Sequence, residues 1–126
     1  MRFMMFMYPE IEEADWMPSA EDVAAMSRYN EELHKAGMLL SLDGLHPPAE
    51  GASVSFGADG VTSVTDGPYT EAKEVVGGYW LIQARSTEEA IEWAKRCPGR
   101  KCRIEVRRVF EAEDFPEDVQ AELADI

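Results

Sequence analysis

Two stretches of this chain, residues 1–8 and 78–84, are apolar on both of the alternating faces that a strand presents, and this limits its folds more than any other feature. In the first, Phe3, Met5 and Met7 fall on one face and Met4, Phe6 and Tyr8 on the other; in the second, Tyr79 and Leu81 stand against Trp80 and Ile82. Strands of this kind need cover on both sides. The helices available to supply it are few. One follows Pro18-Ser19, with Ser19 as N-cap and Glu21 and Asp22 in the first turn, where the helix dipole favours acids. It runs to about Ala36, with Val23, Met26, Tyr29 or Asn30, and Leu33 at helical spacing, and Gly37 is its left-handed stop. The other opens on Ser86-Thr87-Glu88-Glu89. This is a capping box, in which the Ser86 hydroxyl accepts from the Glu89 amide while the Glu89 carboxylate reaches back. The helix carries Ala90, Ile91, Trp93 and Ala94 as far as Pro98-Gly99.

The remaining segments complete an alternating pattern. Residues 38–45 form a second strand, ended by His46-Pro47-Pro48, since neither proline can donate to a ladder. Residues 53–56 and 61–65 alternate with period two across Gly57-Ala58-Asp59-Gly60 and make a hairpin. Residues 103–109 form the last strand, with Ile104 and Val106 on one face and Glu105 and Arg107 on the other. Phe115-Pro116 begins a short acidic helix to about Ala124. The order is α+β, a ferredoxin-like βαββαβ split pattern with an inserted hairpin. Its two main helices cover one face of the sheet. A second copy related by a two-fold axis covers the other, which predicts a homodimer with a cavity between the two sheets.

Composition narrows the function. The 12 Lys and Arg against 25 Asp and Glu give a formal charge of −13, which repels phosphate backbones and anionic headgroups and so disfavours nucleic-acid and membrane roles. The first apolar run is too short for a signal-peptide core and no stretch approaches membrane-spanning length, so the chain reads as cytoplasmic. Cys97 and Cys102 read as two unlinked thiols in that setting. With only His34 and His46 beside them, no zinc set is expected, and neither a metal nor a cofactor is called for.

The stretch 66–82, DGPYTEAKEVVGGYWLI, joins a turn, a charged loop and a double glycine to the most apolar strand, and reads as the rim of a pocket. In Asp66-Gly67-Pro68 the glycine supplies a positive φ and the Asp side chain bonds the backbone just ahead of it. Gly77-Gly78 permits close approach of backbone to backbone or ligand and lacks phosphate-loop spacing. Asp66 is either a general acid or base raised in pKa by a shared cavity or an Asx-turn acid; His46 is either its proton-transfer partner or a strand-end histidine satisfied locally. Glu105 and Arg107 either form an ion pair within the sheet or leave Arg107 to hold a ligand carboxylate bidentately. Lys73, with Glu71 and Glu74, gates the pocket or lies in a solvated loop, and Tyr79 lines it.

Together with LHPP at residues 45–48, EEAIEWAKRCP at 88–98 and IEVR at 104–107, the run DGPYTEAKEVVGGYWLI resembles the YCII-related family in its DGPF branch. These are small bacterial proteins of unknown function. The resemblance covers residues 1–110, leaving residues 111–126 as an acidic helical tail. It implies a dimeric α+β barrel built from ferredoxin-like halves. The sequence departs from the pattern at Tyr69, usually Phe, which adds a hydroxyl at the rim, and at Arg108, often Pro. The resemblance further implies a catalytic His and Asp pair, carried here onto His46 and Asp66. Related barrels include enzymes acting on small cyclic organic acids, and some DGPF modules accompany extracytoplasmic-function sigma factors. The candidate functions are therefore a proton-transfer lyase or isomerase acting on a small organic acid, and a ligand-binding or regulatory module. A structural dimerisation domain is the third reading.

Overall fold

A computed structural model describes residues 1–67 and 75–123. Its main sheet contains β1 (Arg2–Pro9), β2 (Leu39–Gly44), β5 (Gly78–Gln83) and β6 (Cys102–Arg108) in the order β2-β5-β1-β6, all neighbours antiparallel. Helices α1 (Ala20–Lys35) and α2 (Thr87–Lys95) make the two crossovers, which is the split βαβ arrangement of a ferredoxin-like fold. Between β2 and β5 the chain forms β3 (Ala52–Phe56) and β4 (Thr62–Asp66), a separate antiparallel hairpin. The four-residue α3 (Glu117–Gln120) follows β6 and is shorter than the expected tail helix.

Alternation in β1 decides where the core lies. Phe3 and Met5 are buried with Trp80 and Ile82 from β5, Tyr29 and Leu33 from α1, and Ala90 from α2 in one cluster. Phe3, Met5, Leu33 and Ile82 are wholly buried. Each such side chain contributes about 1.5–3 kcal/mol of transfer free energy. Leu39 and Leu42, three residues apart, would face opposite sides of a regular strand. A bulge at Leu40, where the register shifts between Leu39 and Ser41, turns both onto the core side.

The helices are set by their ends. The Ser19 hydroxyl accepts from the Asp22 amide at 3.1 Å, and Gly37 takes φ 73° at the other end of α1. The helix meets the sheet through its C-terminal half: Met26 packs on the core, Tyr29 and Leu33 enter it, and Val23, expected there, is exposed. Tyr29 and Asn30 both serve the interior. The Tyr29 ring meets Trp80 edge-on at 5.8 Å and its hydroxyl donates to the Trp93 carbonyl, while Asn30 Oδ1 accepts from the Trp80 indole at 2.8 Å. At α2 the Ser86 hydroxyl accepts from the Glu89 amide as expected, but the other half of the box differs. The Glu89 carboxylate accepts from the Arg85 amide and guanidinium, because a charged donor binds it more strongly than a neutral amide alone.

Candidate functional site: the open face of the sheet

No described helix packs its buried residues on the side of the sheet that carries Met4, Phe6 and Tyr8. Register lays out this face in rows. Ser41, Leu81, Met4 and Arg107 form one, Asp43, Tyr79, Phe6 and Glu105 the next, and Tyr8 and Arg103 begin a third. Met4, Phe6, Tyr8, Tyr79 and Leu81 are all half-buried, an apolar floor bordered by charge on both edge strands.

The polar groups on this floor are tied down. Tyr8 Oη donates to Glu105 Oε1 at 3.0 Å, and the Arg103 guanidinium lies 4.1 Å from the centre of the Tyr8 ring. On the other edge Tyr79 Oη donates to Asp43 Oδ2 at 3.0 Å. Burial holds the Tyr8 phenol above its ordinary pKa, the Glu105 carboxylate adds to this, and Arg103 and Arg107 pull the other way. Tyr8 is thus a fixed proton donor within reach of two guanidinium charges. Among the described residues no carboxylate pairs with Arg107, so the expected alternative of an ion pair between Glu105 and Arg107 gives way to a Tyr8–Glu105 bond. A guanidinium at the edge of an apolar floor is suited to a planar carboxylate or another oxyanion.

At the end of the sheet where β2 and β1 finish and β5 begins, a corner is built from the HPP segment and from Asp66-Gly67. Leu45 donates its amide to the Gly77 carbonyl at 2.9 Å and Gly77 donates to Met7 at 2.7 Å. The Trp16 indole donates to the Leu45 carbonyl at 2.9 Å, and the Glu13 carboxylate accepts from the Ala49 amide at 3.0 Å. A Cβ on Gly77 would lie 2.8 Å from the Pro9 ring, and one on Gly78 3.0 Å from the Asp43 carbonyl oxygen, so the double glycine does permit close approach. Gly67 behaves differently from expectation. Its φ is not positive; a Cβ there would overlap the Pro48 carbonyl, and its amide donates to Gly51 at 3.0 Å. The missing side chain lets the hairpin dock on the 3-10 turn Pro48–Glu50.

The structure distributes the expected residues unevenly. Tyr79, Glu105 and Arg107 share the open face. His46 and Asp66 belong to the corner: His46 is exposed, with Nδ1 2.7 Å from Glu50 Oε2, and Asp66 is exposed at the end of β4 opposite Ala52. No described hydrogen bond or ion pair joins His46 to Asp66. Tyr69, Glu71 and Lys73 lie outside the described residues. Tyr8, Arg103 and Asp43 were missed, although two of them were readable. Tyr8 follows Met4 and Phe6 in parity, and Arg103 precedes Glu105 and Arg107 by the same period of two.

A four-stranded antiparallel sheet with two helices on one side and a polar-edged apolar face on the other defines a ferredoxin-like α+β domain. The YCII-related domain model matches residues 1–113, and the chain belongs to that family. It is also 34% identical over 74 residues to an uncharacterised protein of Rhizobium meliloti. That match covers 59% of this chain and 56% of the relative, so the chain spans little more than half the relative's length.

Proposed function

We propose that two copies of this chain join through their open sheet faces as a dimeric α+β barrel and bind a small organic acid between them. In this reading Arg107 holds the acid's carboxylate, Tyr8 and Tyr79 line the chamber, Glu105 fixes Tyr8, and Met4, Phe6 and Leu81 contact the organic skeleton. The observation that carries it is Arg107, exposed opposite Met4 at the edge of a half-buried apolar floor, with no carboxylate partner among the described residues. Groups of this kind favour a ligand with a flat anionic end and a carbon body. Binding without turnover is the form the geometry supports best, since both tyrosine hydroxyls on this face are engaged, Tyr8 with Glu105 and Tyr79 with Asp43. The DGP turn and the HPP segment support placement in the DGPF branch.

The test is calorimetry with a panel of aromatic and alicyclic monocarboxylic acids. Saturable binding that weakens about 10- to 100-fold in Arg107→Ala agrees with a charge-assisted contact worth roughly 1.5–3 kcal/mol. Affinity unchanged in that variant removes Arg107 from the site, and a panel with no binder removes the ligand class. Docking of Gly67 on Pro48 favours a second reading, because it gathers the segments of His46 and Asp66 at one corner. There proton transfer between them acts on the same acid as lyase or isomerase chemistry. Turnover abolished by Asp66→Asn supports that reading; turnover that persists in the variant rejects it.

A further inference from the structure

Away from the open face, α2 and β6 enclose a cleft of about 470 Å³ that the proposed ligand site does not use. Ile91, Ala94, Ile104 and Val106 form apolar walls, and the half-buried residues Cys97 and Cys102 complete the lining. We infer that Cys97 and Cys102 are a dithiol that a hydroperoxide oxidises to an intramolecular disulfide.

Geometry brings the two sulfurs together over Gly99. A Cβ on Gly99 would overlap Cys102 Sγ and lie 3.6 Å from Cys97 Sγ, so the sulfurs sit within about 6 Å of one another. Any side chain at position 99 would occupy the space in which they meet. The backbone is constrained as well. Lys101 takes φ 50°, a conformation that strains a residue with a Cβ, and its carbonyl accepts from the Glu10 amide at 2.7 Å. Cys102 is thereby fixed as the first residue of β6, opposite Pro9, while Cys97 follows directly on the C-cap of α2, Arg96. Disulfide formation requires the two sulfurs to close from within about 6 Å to a bond of about 2.05 Å.

The reaction balances with one hydroperoxide. The thiolate of one cysteine attacks the peroxide, the O–O bond breaks, an alcohol leaves with the proton, and a sulfenic acid forms. The second thiol then attacks that sulfur, forming the S–S bond and releasing water. Two thiols lose two electrons and the peroxide gains them. Burial pushes both thiols up, for Cys97 opposed by a hydrogen bond from the Gly99 amide, so the pair rests protonated and reacts slowly. The new bond ties the end of α2 to the start of β6, the two walls of the cleft.

The test uses the full chain, equilibrated in graded oxidised and reduced glutathione and, separately, treated with excess hydrogen peroxide. The expected result is joint loss of both thiols, a mass lower by two hydrogens, migration as a single chain without reductant, and full recovery with dithiothreitol. Cys97→Ser then traps a glutathione adduct or a sulfenic acid on Cys102. Three outcomes overturn the inference. They are thiols unchanged at every glutathione ratio, separate glutathione adducts on the two cysteines of the wild type, and stepwise oxygen adducts without loss of hydrogen.

Discussion

Replacing Gly67 with alanine tests how the hairpin is held. The new Cβ would overlap a backbone carbonyl, Pro48 O, and no flexible side chain is there to yield. Overpacking of this kind costs roughly 1–3 kcal/mol. Displacing the backbone also breaks the bond from the Gly67 amide to Gly51, worth about 1 kcal/mol. Val54, Phe56, Val61 and Val64 are 51–77% exposed, so the side chains of the hairpin hold it to the body only weakly. A two-stranded hairpin is marginal alone. The penalty of about 2–4 kcal/mol therefore appears as local opening, a shift of about thirty-fold or more, and only faintly in global melting. Amide hydrogen exchange reads it directly: the paired amides of β3 and β4 lose protection while those of β1 and β5 keep theirs. Gly60→Ala is the control, with φ 83° and open space around it, and it costs about 1 kcal/mol at the turn without undocking. Hairpin protection in Gly67→Ala equal to wild type would refute the steric account of this glycine.

Leu33→Ala, which empties a wholly buried site between α1 and the sheet, is expected to lower stability by about 2–5 kcal/mol in urea unfolding; a loss under 1 kcal/mol contradicts the assigned core. Lys101→Gly relieves a left-handed backbone and is expected to raise the urea midpoint by an amount worth about 1 kcal/mol; a lower midpoint contradicts this. Glu89 and Glu111 are both held below the ordinary carboxylate range, Glu89 by the Arg85 amide and guanidinium and Glu111 by Arg2. A carboxyl depressed on folding contributes stability above its unfolded value of 4.5 and loses it as pH falls through the folded value. Stability measured by urea unfolding therefore drops on acidification below pH 4.5, and Glu89→Gln with Glu111→Gln flattens that drop; an equal slope in the double variant removes these pairs as its cause.

The order of strands and helices was legible because alternation and capping are local signals. Parity grouped Phe3 with Met5 and Trp80 with Ile82, and set Glu105 and Arg107 opposite Ile104 and Val106, while packing against the two helices decides which of the apolar sets of β1 and β5 is the core. Features that depend on long-range partners were not legible. The Trp16 indole meets a carbonyl 29 positions away, and its sequence neighbours carry no trace of that bond. The bulge at Leu40 is a register choice made by packing two leucines three residues apart onto one face. Gly67 was assigned for the φ a glycine permits, whereas the structure uses its lack of a side chain against Pro48. His46 reads as a proton-transfer partner for Asp66, yet Glu50, four residues on, lies at its Nδ1.

If a second copy of this chain covers the open face of the sheet, as proposed, sedimentation equilibrium at micromolar concentration gives a mass twice that of the chain for the wild type. Phe6→Glu, whose charge would sit at the centre of the joined faces, then gives a single-chain mass with intact secondary structure. A wild-type mass of one chain throughout the micromolar range would rule out the shared face.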